Sequence, residues 1–565
     1  MKRLKAVATV ALVLVCGMAA TCGPSPAPDA SPSSGGGEVP AGAPKVLRIA
    51  ASRQFSTFAQ FTGVATSSST ETEVRNIVHD FLVVPDGSGG YHPQLAMEVP
   101  SIEKGTWRLN SDGTMDTTWK IRPNVTWQDG TPFTSADLAF AHQLFIDRTF
   151  NPVAYVGDIR LMESVTTPGP LTLVVHWSST APNAYRAYGL DPMPRHLLEE
   201  LYLTNKEALR TTPLLDSQFV GLGPYRIVRW DPGVELEFAR YDGYHAGRPP
   251  LDSVVVTYMS DGNTMVAAIL SGATDVVRPP SVGLDVASEV KRQWEGSGHQ
   301  VATELGNMRW LRIQYNPAFA DLKYGLTQRP VRQALYQAID RQALVEVVGQ
   351  GLAPPADSWI LPTDPLKPQL DSAVPRYPYD PAASGRILEQ AGWVKGSDGV
   401  LVHQPDGERF ESTLSVRPTT GADQDAPIIT AGWKAIGANA GYYLIPAALA
   451  SDRAYQAKAP LATLSATGLD SFEIISVIHS SEVASEANRW NGANWGGYTN
   501  PRVDDIINKL VVTIPTDERV ALRRQLLQEV LGNELAVLPL YWTTNPVFLL
   551  KGVKMPWRVA EWDKA

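Results

Sequence analysis

"WKIRPNVTWQDGTPFTSADLAFAHQLF", Trp119 to Phe145, carries the local signals for three elements in one run. Thr117 to Ile121 alternates as a strand does, Pro123-Asn124 interrupts it, and Asp129-Gly130 is a strong hairpin-type turn dipeptide. Thr134 stands three residues ahead of Asp137, the spacing of a capping box. Leu138, Ala141, Leu144 and Phe145 then fall on one helical face. The run predicts a strand, a tight turn and a capped helix, with Trp119 and Trp127 as packing residues of that scaffold.

The surrounding chain repeats this alternation. Its 565 residues suit two or three domains, and 44% hydrophobic with 19% charged residues is an ordinary globular composition. The 45 glycines and 44 prolines imply many turns and ordered loops rather than a helical bundle. Strand patterns stand at "KVLRIA" (Lys45 to Ala50), "LTLVVHW" (Leu171 to Trp177) and within Gly221 to Met259. Helical periodicity returns at "RPVRQALYQAIDRQALVEVV" (Arg329 to Val348) and "DPAASGRILEQAGW" (Asp380 to Trp393), each with Pro near the helix start. The class is mixed α/β. No obvious linker follows Pro44, so the domains exchange segments.

The N-terminus is a different object. Lys2, Arg3 and Lys5 precede a short apolar run, Ala6 to Ala20, too brief to span a bilayer and suited to a secretory signal over residues 1–22. Both cysteines of the chain, Cys16 and Cys22, lie in this leader. Cys22 sits where bacterial lipoproteins are cleaved and lipidated, although Thr21 stands where Gly or Ala is usual. The Pro/Ser/Gly-rich segment 23–44 that follows reads as a flexible tether. The expectation is a domain held outside the cell by lipid on Cys22, at the outer face of the cytoplasmic membrane or in the periplasm.

Composition and motifs exclude several functions. The remainder has no cysteine, hence no disulfide framework and no thiolate nucleophile. Without its leader the chain has 46 basic against 58 acidic side chains, so its formal charge is −12 rather than −9, and nucleic acid is a poor partner. No Gly-Lys phosphate loop and no Gly-x-Ser-x-Gly turn occurs, and no two of the nine histidines lie three to five residues apart. No cofactor and no metal ligand set is indicated. Asp504-Asp505 and Glu199-Glu200 read as solvated groups, the former opening a helix where acidic residues suit the dipole.

Taken in order, the blocks resemble the extracellular solute-binding proteins of ABC importers, in the dipeptide, oligopeptide and nickel-binding class (bacterial family 5). The resemblance rests on "YHPQLAMEVP" (Tyr91 to Pro100) with the opening run, and on "GLGPYRIVRWDPGVELEFARYDGYHAGRPPLDSVVV" (Gly221 to Val256). "RPVRQALYQAIDRQALVEVV", "YDPAASGRILEQAGW" and "GYTNPRVDDIINKL" (Gly497 to Leu510) follow in the family's order. It implies a two-lobed periplasmic-binding-protein-like fold (type II) with a small domain inserted in the first lobe. Lobe one would comprise 45–75, 185–310 and 530–565, the inserted domain 76–184, and lobe two 311–529. It also implies a monomer that captures peptides outside the cell and passes them to separate permease and ATPase subunits, without catalysis.

Site residues follow from the same resemblance. Arg417, in "LSVRPTTG", looks like the carboxylate-binding Arg of dipeptide-type members, and a guanidinium fork can give a carboxylate two parallel hydrogen bonds. Asp470, in "SATGLDSFEII", lies near their Asp for the α-ammonium group. "NRWNGANWGGYTNP" (Asn488 to Pro501) presents Trp490, Trp495 and Tyr498 among glycines and asparagines, flat faces that suit a peptide side chain or a sugar ring. An oligosaccharide or a nickel chelate is therefore an alternative solute. A secreted hydrolase and a membrane-sensor receptor are the readings from other classes.

Overall fold

The computed structural model describes residues 44–554 apart from 59–68, 87–89, 148, 151–156, 279–281, 323–324, 418–420, 468–470 and 515. The leader, the tether, Cys22 and Asp470 lie outside the described residues.

The opening run folds as its local chemistry directs. Met115–Lys120 is an inner strand of a four-stranded antiparallel sheet with Trp107–Leu109, Thr172–Trp177 and Met162–Gly169. Gly130 takes φ 90°, the left-handed region the turn requires, and Asp129 Oδ1 accepts from Thr131 N at 3.0 Å. Helix Ser135–Ile146 begins where Thr134 N donates to Asp137 Oδ2 at 2.8 Å. Trp119 and Trp127 are fully buried in the apolar core of this sheet, as packing residues should be. The helix serves two cores. Leu138 joins the small sheet's core, while Phe140, Ala141 and Leu144 join the neighbouring one built on Val46–Ala51.

Gln128, immediately before the turn, stitches three segments together. Its Nε2 lies within 3.1 Å of the carbonyls of Val78, Gly223 and Tyr225, and its Oε1 accepts from Gly221 N. Gly221 and Gly223 let that approach happen, since a Cβ on Gly221 would stand 1.9 Å from Val78 O.

The main sheet has ten strands. Its order is Asn439–Leu444, Glu411–Val416, Ala462–Thr467, Gln300–Ile313, Val537–Leu549, Val276–Val277, Val46–Ala51, Ser253–Tyr258, Glu235–Arg240, Tyr225–Asp231. Two long antiparallel strands, Gln300–Ile313 and Val537–Leu549, run through its centre. Their register shifts between Leu305 and Met308 and again between Arg309 and Trp310. Packing changes partners along them. Val547 and Leu549 pack with the core of Val46–Ala51, whereas Met308, Trp310, Val537 and Trp542 pack with helices Pro501–Leu510 and Thr516–Leu527. The other face of this second half carries its own core, with Leu335, Trp433 and Leu538 at its centre. No described helix is long and apolar enough to cross a membrane.

Candidate functional site

A cavity of about 930 Å³ opens between the small four-stranded unit and the helices of the second half. That volume lies within the range of solute pockets, roughly 300–1,000 Å³. Tyr91, Ile102, Tyr185, Arg186 and Tyr188 line one wall; Trp359, Leu361, Asp364, Ile475, Ile514 and Arg523 line the other. Leu305, at the register break of the first long strand, also reaches it.

Local backbone sets the first wall. The single turn Ala184–Arg186 ends at Ala187 with φ 54°, and Gly189 follows at φ 80°. This reversal leaves Tyr188 54% exposed on the cavity. The Arg186 guanidinium carbon lies 5.8, 5.9 and 6.0 Å from the ring centres of Tyr91, Tyr185 and Tyr188. Burial pushes the Tyr91 hydroxyl above the usual phenol range. On the second wall Arg523 Nη2 donates to Asp364 Oδ2 at 2.7 Å. Arg519 Nη1 donates to the carbonyls of Leu510 and Thr513, holding the bend that sends Ile514 against the small unit's core.

A second constellation lies at the end of strand Glu411–Val416. The Trp495 ring centre is 4.5 Å from the Arg312 guanidinium carbon and 5.2 Å from that of Arg417. Arg312 Nη1 donates to Ala493 O at 3.0 Å. Arg417 Nε and Trp495 Nε1 are both buried with no hydrogen-bond partner among the described residues. Both are obligate donors, so the place is short of an acceptor. Burial lowers the Arg417 pKa from its ordinary value.

The loop holding Trp495 is fixed by its neighbours. Asn494 Nδ2 donates to the carbonyls of His479 and Tyr498, and its Oδ1 accepts from Tyr498 N. A Cβ on Gly496 would meet Ile313 O at 2.3 Å, and Gly497 takes φ 70°. The sequence-predicted residues therefore separate. Arg417 and Trp495 come together. Trp490 packs elsewhere, 6.1 Å from the Phe319 ring and with Lys458 Nζ 5.0 Å from its own. Tyr498 is 5% exposed and stacks edge-on to Tyr315 inside the core, so it offers no open face. Sequence reasoning missed Arg312 and the whole tyrosine wall. "AYRAYG" carries the only hint, tyrosines flanking an Arg ahead of a glycine.

The model of bacterial extracellular solute-binding proteins, family 5 Middle, matches residues 91–474. The chain belongs to that family. Among its relatives is Protein XP55 of Streptomyces lividans, 26% identical over 76% of this chain and 72% of that protein. Oligopeptide-binding protein AppA of Bacillus subtilis is 23% identical over 65% of this chain and 64% of its own length. NikZ of Campylobacter jejuni, solved in complex with Ni(L-His), superimposes with TM-score 0.66 at 22% identity, covering 90% of this chain and 95% of NikZ. This family-5 protein thus has the two-lobed fold of periplasmic binding proteins, and it binds a small solute outside the cytoplasm.

Proposed function

We propose that this family-5 protein captures peptides in the cleft between its lobes and delivers them to an ABC permease and ATPase. The observation that carries the reading is the pair of buried donors, Arg417 Nε and Trp495 Nε1, with no acceptor among the described residues. A peptide's terminal carboxylate supplies that acceptor, and Arg417 can hold it through two parallel hydrogen bonds. Strand Glu411–Val416, which pairs in parallel with Ala462–Thr467, ends immediately before Arg417. Asp470, outside the described residues, is in this reading the partner for the peptide's α-ammonium group. Trp490 and Tyr498 contribute less, since their rings face protein.

In this reading lobe one comprises 45–75, 185–310 and 530–565, the insertion 76–184, and lobe two 311–529. The lobes close about the two long strands. The packing of Met308, Trp310 and Trp542 with lobe two favours a crossing slightly nearer the Leu305 register break. Closure shifts the population because solute touches both faces. Lipid on Cys22 and the tether 23–44 would keep the monomeric binder near its permease.

Mass spectrometry of the small molecules released when the freshly purified mature protein is denatured tests this. A ladder of short peptides is expected. Sugars or metal chelates in their place overturn the peptide assignment.

A further inference from the structure

Resting on the reading of the cleft as the solute site, the cavity walls define what part of a solute enters it. Ile102 and Tyr188 are 43% and 54% exposed, two large apolar side chains on one wall of a cavity. Leu361 and Ile475 line the other wall, and Ile514 closes one end by packing against the small unit's core. Apolar side chains exposed on a cavity favour an apolar body placed against them. Flat tyrosine rings favour an aromatic one, which can meet them edge-on or offset.

Charge sets the second condition. Aromatic faces ordinarily attract cations. Here Arg186 already lies within 6.0 Å of the ring centres of Tyr91, Tyr185 and Tyr188, so that attraction is in use. An incoming ammonium or guanidinium would meet the Arg186 charge at close range. The lining has Arg186, Arg519 and Arg523 against Glu103 and Asp364, and Asp364 is engaged by Arg523. The balance at the cavity is positive.

We propose that this compartment receives a bulky aromatic group of the solute, neutral or anionic and not cationic. In a peptide it is a Phe, Tyr or Trp side chain in preference to Lys or Arg.

The probe is 8-anilinonaphthalene-1-sulfonate, a planar aromatic anion, titrated into mature protein stripped of solute by denaturation and refolding. Thioflavin T, a planar aromatic cation, is the counter-probe. Saturable binding of the anion is expected, at least tenfold tighter than of the cation. Tyr188→Ala should weaken it about tenfold, because one exposed ring of the wall is gone. Tyr443→Ala removes an aromatic side chain, 42% exposed, from a patch outside this cavity and should change nothing. Arg186→Gln should narrow the gap between the two dyes by admitting the cation. The inference is overturned if the anion does not bind, if Tyr188→Ala binds it unchanged, or if Tyr443→Ala abolishes it. The peptide reading fails separately: a protein that releases sugars yet shows this dye pattern keeps the aromatic compartment. One that releases peptides but binds dye at Tyr443 keeps peptide capture alone.

Discussion

The guanidinium carbon of Arg417 stands 5.2 Å from the ring centre of Trp495, and each residue buries a nitrogen that finds no acceptor among the described residues. Two segments about eighty residues apart thus meet as a donor pair. Leaving buried donors unmet costs about 1–3 kcal/mol each, an expense that a bound anion removes.

Arg417→Ala should weaken binding of a free-ended peptide from the released pool by about 10- to 100-fold, the worth of a charge-assisted hydrogen bond, roughly 1.5–3 kcal/mol. The same peptide amidated at its C-terminus should bind wild type and variant alike. Calorimetric titration reads both, and equal affinity of the two proteins for the free acid would remove Arg417 from the site.

Asp425 is buried beside Arg309, whose Nε lies 3.0 Å from Oδ2, and Tyr541 donates its hydroxyl to Oδ1 at 2.8 Å. Burial outweighs these partners and pushes its pKa up to about 6. A raised acid pKa means the folded chain holds a proton that the unfolded chain has lost between about pH 4 and 6. Its contribution is complete below about pH 4 and is lost as pH climbs through 6, a span of about 3 kcal/mol. Asp425→Asn should therefore flatten that part of the stability profile in urea melts. A profile with unaltered slope from pH 4 to 6 would show that Asp425 does not titrate there.

His79 should do the opposite. It is buried, its Nε2 lies 3.0 Å from Pro192 O, and burial with nearby Arg75 lowers its pKa to about 3. The unfolded chain then holds the extra proton between about pH 3 and 6.5. Stability from neutral His79 is present above about pH 6.5 and lost as pH falls toward 3, on the order of 5 kcal/mol. His79→Gln should cut acid sensitivity in that window by one proton's worth. Proton uptake on unfolding at pH 5, equal in variant and wild type, would count against it.

Gly221→Ala and Gly223→Ala should each cost more than about 3 kcal/mol, because the added methyl meets backbone rather than a movable side chain. Val78 O and His79 N are the atoms struck, at 1.9 and 2.5 Å. Gly385→Ala, with open space at its Cβ, is the matched control in thermal melts. A loss confined to less than 1 kcal/mol at Gly221 would mean the two segments can part.

Helix Ser135–Ile146 and the Asp129-Gly130 turn were readable because their determinants lie within a few residues of one another. Gln128 was not, although it sits immediately before that turn: its three carbonyl partners come from Val78, Gly223 and Tyr225. A side-chain amide in a turn gives no sign of the distant backbone it will join.

The site divides the same way. By itself the sequence determined the alternating α/β elements and their caps and turns, because spacing along the chain fixes each, and the order of its blocks carried the resemblance that implied a two-lobed binder. Only the tertiary structure decided that Trp495 lies against Arg417 while Tyr498, three residues on, turns into the core against Tyr315. The loop at Gly496 and Gly497 and the Asn494 side chain set that split, by contacts with Ile313, far away in sequence, and with His479 of the preceding segment. The cavity has the same origin, with walls taken from chain segments hundreds of residues apart. Burial and acceptor supply are properties of such assembled surroundings, so no local pattern can state them.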